Sequence, residues 1–544
     1  MPRWEVREAQ VDYRLFDTPL EYKPAYGPAL ALNLVYQPWR FADRRYYPDN
    51  YANPLFGPQW HCMWSSDLAI RDNTTPTTPP ARTYWNYLGG RVFYEFPETD
   101  PLNSVAAYPD GSRVQIVTDG GGTPIGGRVF TTDGRIFEYL RASTLPKRFV
   151  LTRMIDPDGH SLTFGYDAFG RMDQITAANG QTAAFIYGDL DLDGQAENNR
   201  QVTQLVAPDG YNASFGYIRI QVDSQERWSL SSITDAEGIT STFSYGHIEP
   251  DHWENVAVSS MTTPYGTTSF EYLTSANNWK TLLVSEPEGV QYLYVHGDSF
   301  FGYPPVPAAF DAAVIPAGLP LGTMDTARQE RNTFYFGPKQ LEAIGNLAFD
   351  TWTWNEFKRA RIRHWLGFPD PFNQLQHISD TLSWEQAPSP DGVLEGQVTW
   401  YDYAGKNPAR PDLIASGIEL PSVIARRLPD GTTWYEYYQR NSLGKPLYLT
   451  TTYTLNGTVG TRTKTFTYAA NGIDLLTETD FNGNLVHEYT YNSFHQVLTH
   501  KRHPAASGTY IDTYVYDSMG RLWTNITAAR LTNSYTYGAD GRLA

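Results

Sequence analysis

A turn glycine followed seven residues later by a tyrosine, with an aromatic residue two places before that tyrosine, recurs along this chain and restricts what it can fold into. Gly159 leads to Phe164-Gly165-Tyr166, Gly180 to Phe185-Ile186-Tyr187, Gly210 to Phe215-Gly216-Tyr217 and Gly238 to Phe243-Ser244-Tyr245. Gly266 to Tyr272 is one residue shorter, and Tyr292-Leu293-Tyr294 follows Gly289. The tyrosines lie 21, 30, 28, 27 and 22 residues apart, the length of a two-strand unit with variable loops. The glycines sit in turn sequences such as Asp156-Pro157-Asp158-Gly159 and Ala207-Pro208-Asp209-Gly210, where proline presets φ and glycine supplies a positive φ. Leu162, Phe164 and Tyr166 alternate with polar or small residues, so they share one face of a half-buried strand. A repeating hairpin cannot bury its apolar face alone. Stacked neighbours must do it, and the expected fold is all-β, a spiralling antiparallel sheet of hairpin repeats.

The pattern returns near the C-terminal end in Phe466-Thr467-Tyr468, Tyr489-Thr490-Tyr491, Tyr514-Val515-Tyr516 and Tyr535-Thr536-Tyr537. Composition agrees: aromatics make up 15% of the 544 residues and charged residues 19%, which suits packed strands better than solvated helices. The net charge of -17 argues against a nucleic-acid partner, since phosphate binding needs a basic surface. No stretch has the apolar length of a membrane span, and residues 1–10 lack the apolar core of a signal peptide. The single cysteine, Cys62, rules out an intrachain disulfide. The last residues stop inside the repeat pattern, which suggests a fragment of a longer reading frame.

The fullest copies of the unit are Tyr166-Asp167-Ala168-Phe169-Gly170-Arg171-Met172 and Tyr516-Asp517-Ser518-Met519-Gly520-Arg521-Leu522, with a weaker one from Tyr537 to Leu543. They resemble the YD repeat of the RHS family, Tyr-Asp-x-x-Gly-Arg-Leu. The opening segment is similar to that family's N-terminal region in Asp17-Thr18-Pro19-Leu20, Gly27-Pro28, Tyr36, Phe56-Gly57-Pro58-Gln59-Trp60 and Trp64. The resemblance implies a hollow cocoon-like shell, as in bacterial RHS effectors, the C component of ABC toxins and teneurins, that encloses a C-terminal toxin or serves in cell-surface adhesion. It implies as partners a toxin or effector polypeptide beyond Ala544 and a secretion machinery, with cell-surface glycans or proteins as the alternative. It also implies a secreted or surface location. The family's Asp-Pro-x-Gly-Leu cleavage junction is missing, so no catalytic residue is carried over. In the repeat, Asp is expected to accept hydrogen bonds from turn amides and Arg to reach a neighbouring carboxylate or carbonyl.

Four regions follow: residues 1–135, an N-terminal β region; 136–299, a first repeat block; 300–395, a proline-rich loop with a helical insert; and 396–544, a second repeat block. Within the insert, Leu341, Ile344, Leu347, Ala348, Trp352 and Phe357 recur at spacings near three and four, predicting one or two amphipathic helices between Lys339 and Leu366. Their basic end, Lys358 to His364, fits either an acidic partner or a salt-bridged face on an acidic shell.

Chemistry-bearing motifs are few. Asp189, Asp191, Asp193 and Gly194, with Glu197 following, match the first half of a calcium-binding loop. Position twelve of such a loop is Arg200 rather than glutamate, so the complete motif is absent and a solvated acidic loop is the favoured reading, with calcium at Asp189, Asp191, Asp193 and Glu197 the alternative; no cofactor is required. His247, Glu249, Asp251 and His252 gather metal-type ligands, but Pro250 breaks any helix that would align them, and a polar hairpin loop is the favoured reading. His500 and His503 read as loop charge. Cys62 has no identifiable base and reads as a buried thiol. A glycosidase would need a selected pair of carboxylates, and most acids here sit in repeated turns. The expectation is a shell or scaffold, with no enzymatic activity assigned.

Overall fold

The computed structural model describes residues 1–38, 55–57, 59–70, 83–88, 90–97, 99–107, 110–141, 148–195, 200–222, 225–247, 256–273, 279–297, 312–369, 376–414, 420–455, 457–504, 508–538 and 543. One antiparallel sheet of 32 strands dominates them and does not close into a barrel. From Arg113–Thr118 to Thr532–Ser534 each strand pairs with the next in sequence. Strand Asp67–Ile70 joins through Arg148–Ile155 and carries Thr83–Tyr87 and Gly90–Tyr94 beside it. A separate four-stranded sheet is made by Arg3–Arg7, Asp12–Asp17, Leu34–Tyr36 and Trp60–Cys62.

The repeat explains itself at the turns. Asp167 Oδ1 accepts from the amides of Phe169 and Arg171, both at 2.9 Å, and Asp517 does the same for Met519 and Arg521. Gly170 and Gly520 take φ of 75° and 77°, the left-handed region that glycine enters without cost. Each arginine pairs with the aspartate of its own turn, Nε to Oδ2 at 2.7 Å, and lays its guanidinium 4.5 Å from the ring of the next repeat's tyrosine, Tyr187 or Tyr537.

The tyrosines have a more exacting task. At Tyr166, Tyr187, Tyr217 and Tyr245 the register to the following strand slips by one residue, leaving Asp173, Thr203, Ser231 and Ser259 as bulge residues. Such bulges bend the strand, increase its twist and break the ladder locally. The carbonyl opposite each bulged tyrosine receives the phenol of the next one. Tyr187 donates to Met172, Tyr217 to Val202 and Tyr245 to Leu230, at 2.6 to 2.7 Å. The second block repeats this with Tyr491 on Leu475, Tyr516 on Val497 and Tyr537 on Leu522. The shorter repeat ending at Tyr272 has no bulge, and its phenol goes to the Val11 carbonyl instead. The carbonyl thereby left over, that of Val258, accepts from Tyr13 of the N-terminal segment at 2.6 Å.

That segment covers the apolar face of the first block. Phe185, Phe215, Phe243 and Phe270 are met by Trp64, Phe56, Trp60 and Tyr13, with ring centroids 4.4 to 6.2 Å apart. The same face continues by register through Val284, Tyr335, Arg363, Glu385, Ile424, Glu436 and Leu449 to Lys464 and Phe466. The opposite face is covered only locally, where α1 (Pro338–Ile344) and α2 (Trp354–Phe357) lie near Phe334, Phe336, Ile362, Trp384 and Trp400.

The helical expectation for residues 339–366 is therefore corrected in part. Gly345, at φ 69°, ends α1, and Arg361–Pro369 is a strand that continues the sheet. In Arg361-Ile362-Arg363-His364 the alternation of period two fits the strand, while Leu341 to Phe357 alone carries the helical spacing. The coil of the sheet also brings distant turns together. Leu443 packs at Gly134, Tyr26 stacks on Phe494 at 4.8 Å, and Gln496 Nε2 donates to the Ala25 carbonyl at 3.0 Å.

Tyr217→Phe removes a donor from a buried carbonyl and is expected to cost about 1–3 kcal/mol in chemical denaturation. Tyr272→Phe, which leaves every bulge carbonyl satisfied, is expected to cost less than Tyr217→Phe in the same assay.

Candidate functional site on the covered face of the sheet

The register places Phe466, Glu478, His487, Tyr489, His500, Asp512 and Tyr514 on the face that the N-terminal segment covers in the first block. In the first block the corresponding positions hold Phe164, Ile175, Ala183 and Phe185, all buried. Here they are half-buried and largely polar. Lys464 pairs with Glu478 at 3.1 Å, His487 Nδ1 lies 2.9 Å from His500 Nε2, and Tyr489 stacks on His500 at 4.5 Å. Tyr453 and Tyr510, 41% and 45% exposed, extend the same face. No segment of the described chain covers this part as the N-terminal aromatics cover the first. A face of this kind is a wettable aromatic surface able to hold polypeptide by stacking and hydrogen bonding rather than by a dry core.

The N-terminal cover ends on a charged clamp. Glu8, nearly buried, pairs with Arg361 and, at 2.9 Å, with Arg363, and Arg363 also reaches Glu385 at 2.6 Å. Lys358 donates to the Val393 carbonyl at 3.1 Å. The basic run from Lys358 to His364 is thus engaged by groups of the chain itself.

Behind it, on the opposite face, lies a buried polar network that no motif announced. Asp325 Oδ2 is 2.7 Å from Arg331 and 3.1 Å from His364 Nε2, while His364 Nδ1 donates to Asn332 Oδ1 at 2.9 Å. Burial raises the Asp325 carboxyl, but the hydrogen bond and charge of His364 and the charge of Arg331 outweigh it and hold the pKa at about 2. For His364 burial prevails over Asp325 and lowers the pKa. Nearby, Asp402 accepts from Thr323 and pairs with Lys406 at 3.3 Å, and Lys406 donates to the Thr323 carbonyl at 2.7 Å. These contacts tie the segment 323–332 onto strands 361–369 and 398–402.

Asp189, Asp191 and Asp193 come together with carboxylate oxygens within 4.8 Å of one another, and Glu197 lies outside the described residues. Asp189 already accepts from the amides of Asp193 and Gly194. His247 is exposed at the end of strand Thr240–His247, and Glu249, Asp251 and His252 lie outside the described residues. Cys62 is buried, and burial pushes its thiol up, leaving little thiolate at neutral pH. His500 belongs to strand Val497–Arg502, which corrects its reading as loop charge; the alternation of Val497, Thr499 and Lys501 with Leu498, His500 and Arg502 was the available signal.

A sheet of bulged hairpins, each sealed by the next repeat's tyrosine, defines a hairpin-repeat β architecture. The RHS Repeat family model matches residues 151–182, a segment that holds the Tyr166 to Met172 copy of the repeat. No curated protein matches it in sequence. Among solved structures it is similar to the Tc holotoxin pore of Photorhabdus luminescens, at 12% identity over 98% of this chain and 30% of that one, with a TM-score of 0.32. It is similar to a TcdB2-TccC3-TEV structure at 12% identity, over 98% of this chain and 27% of that one, with a TM-score of 0.31. It also resembles the N-terminal domain of the effector protein SpvB from Salmonella typhimurium, at 12% identity over 48% of this chain and 95% of that one, with a TM-score of 0.21. The chain spans about a third of the length of the toxin structures it matches.

Replacing Asp325 by alanine leaves Arg331 and His364 buried without their carboxylate and is expected to cost about 3–5 kcal/mol. Because the folded pKa of Asp325 lies below the unfolded value of 3.8, its contribution is complete above that value and is lost as pH falls toward about 2. Melting curves across that range should show the wild-type advantage over Asp325→Asn shrinking as the acid is added.

Proposed function

We propose that the protein is a wall of a container: its first half is sealed by its own N-terminal segment, and its second half holds a passenger polypeptide, a toxin or effector encoded beyond Ala544. The observation that carries this reading is the continuity of one sheet face. Where the N-terminal segment lies, that face is apolar and buried; beyond it, the same face turns into an aromatic and polar row that is open to solvent. An adhesive surface would favour exposed rings on the outer side, whereas Tyr453, Phe466, Tyr489, Tyr510 and Tyr514 all share the covered side. Delivery out of the producing cell by a dedicated machinery belongs to the same proposal. No helix of the described residues is long and apolar enough to cross a membrane.

Calcium in the loop of Asp189, Asp191 and Asp193 is a separate proposal: added calcium is expected to raise the melting temperature of the wild type and leave Asp191→Asn unchanged.

Thiol labelling tests the container directly, since Cys62 is buried and unreactive in the native state. In Tyr489→Cys, labelling is expected to be fast in the chain alone and slow when the downstream polypeptide is produced with it, while Thr490→Cys on the other face keeps one rate. Equal rates for Tyr489→Cys with and without that polypeptide would sink the idea.

A further inference from the structure

The seam between the two blocks holds a second cluster. Asp158, in a turn of the first block, faces Asp474 and His495 from two turns of the second, more than three hundred residues away in sequence. His495 Nδ1 is 2.7 Å from Asp474 Oδ2 and 3.7 Å from Asp158 Oδ1, and the three ligand atoms lie within 4.8 Å of one another. Asp158 also belongs to a like-sized group with Asp156 and His160. Asp158 Oδ1 is shielded from solvent and accepts no hydrogen bond.

Two features mark His495 as more than a turn residue. It stands where the neighbouring turns carry Gly472, Gly483 and Gly520, and it takes their left-handed backbone, φ 60°. A residue with a Cβ is disfavoured there by about 1–2 kcal/mol, a cost that an ordinary repeat avoids with glycine. Arg530 makes the same exchange in the last turn, so the backbone tolerates it; what distinguishes His495 is where its ring points. Asn471, whose Oδ1 is held by the amides of Ile473 and Asp474, brings its Nδ2 to 3.0 Å from His495 Nδ1, a contact that a metal bound at that nitrogen would displace.

Charge supplies the second argument. Three carboxylates and two imidazoles meet here, and among the described residues no lysine or arginine enters the ion pairs of the group. A divalent cation would balance them. One imidazole nitrogen with two carboxylate oxygens is a donor set for a zinc-class ion, which needs four ligands and accepts water as the fourth. Calcium, seeking six to eight oxygens, is poorly served.

We infer that Asp158, Asp474 and His495 form a binding site for one zinc-class divalent ion that fastens successive coils of the sheet to each other. Binding replaces the proton at His495 Nδ1 with the metal, so one proton leaves for each ion bound at a pH where that nitrogen is protonated. The bond would join turns that are otherwise bridged by Tyr26, which packs on both His160 and Phe494, and by the contact of His160 with Phe494.

The test uses the full chain stripped with a chelator and titrated with zinc alone, then with cobalt alone. Equilibrium dialysis should give one tightly bound zinc per chain, cobalt should develop the visible absorption of a four-coordinate site, and zinc should raise the melting temperature. His495→Gly restores the residue that the turn geometry favours, so it is expected to fold while losing the bound ion and the cobalt spectrum. Asp158→Asn should weaken binding without altering the turn that holds His495. A wild-type chain that binds no stoichiometric zinc, or a folded His495→Gly chain that binds it as tightly, would overturn the proposal.

Discussion

The hydrogen bond from each tyrosine phenol to the bulge carbonyl of the preceding repeat is the interaction on which the architecture rests. A bulge gives a strand the bend and twist that a coiling sheet needs, and it breaks the ladder at a buried place. An unpaired carbonyl there costs about 1–3 kcal/mol. The phenol removes that cost from one repeat to the next, so curvature and cohesion come from the same residue. Burial pushes the phenols of Tyr166, Tyr217 and Tyr245 upward in pKa, which keeps them protonated as donors. At the shortened repeat the chain calls on Tyr13, from far away in sequence, to close the gap at Val258.

The two faces of the sheet are covered by different means. One is lined by the N-terminal aromatics, which match the repeat's phenylalanines ring by ring. The other is exposed over most of its length and protected around strands 332–402 by two short helices and a polar network. That network uses buried charges, which add little net stability when well paired but penalise every arrangement that separates them. Asp325, Arg331 and His364 therefore fix how the segment before the helices sits on the sheet.

Much of this was written in local sequence. The glycine-to-tyrosine step, the turn aspartates and the alternation of Leu162, Phe164 and Tyr166 each report on residues a few places apart, and local geometry decides them. What local sequence could not report was partnership. Nothing near Phe215 says that Phe56 will cover it, and nothing near Asp325 says that His364 will arrive beside it. The stretch after Phe357 misled because the helical spacing of Leu341 to Phe357 was extended over it, although Arg361 to His364 alternate with period two; the strand wins because its edges are paired on both sides. The candidate lining was visible only as tyrosines in a repeat, since whether they are covered depends on a segment more than four hundred residues earlier. His495 did leave a signal, a histidine at a glycine position, which periodicity alone does not single out.

The N-terminal cover also sets an order of events. Trp4 donates to Glu286 and Tyr13 to Val258, so this segment finds its seat only after the nearly three hundred residues that follow it have been made. Until then its aromatics have no partners, and the growing hairpins present their apolar face to water. Contacts of such sequence separation slow folding and prolong the exposure of strand edges. During synthesis the chain is therefore most vulnerable to association with its own copies in the interval before residue 290 emerges, and a host that makes it in quantity has reason to hold the nascent segment apart until the first block is complete.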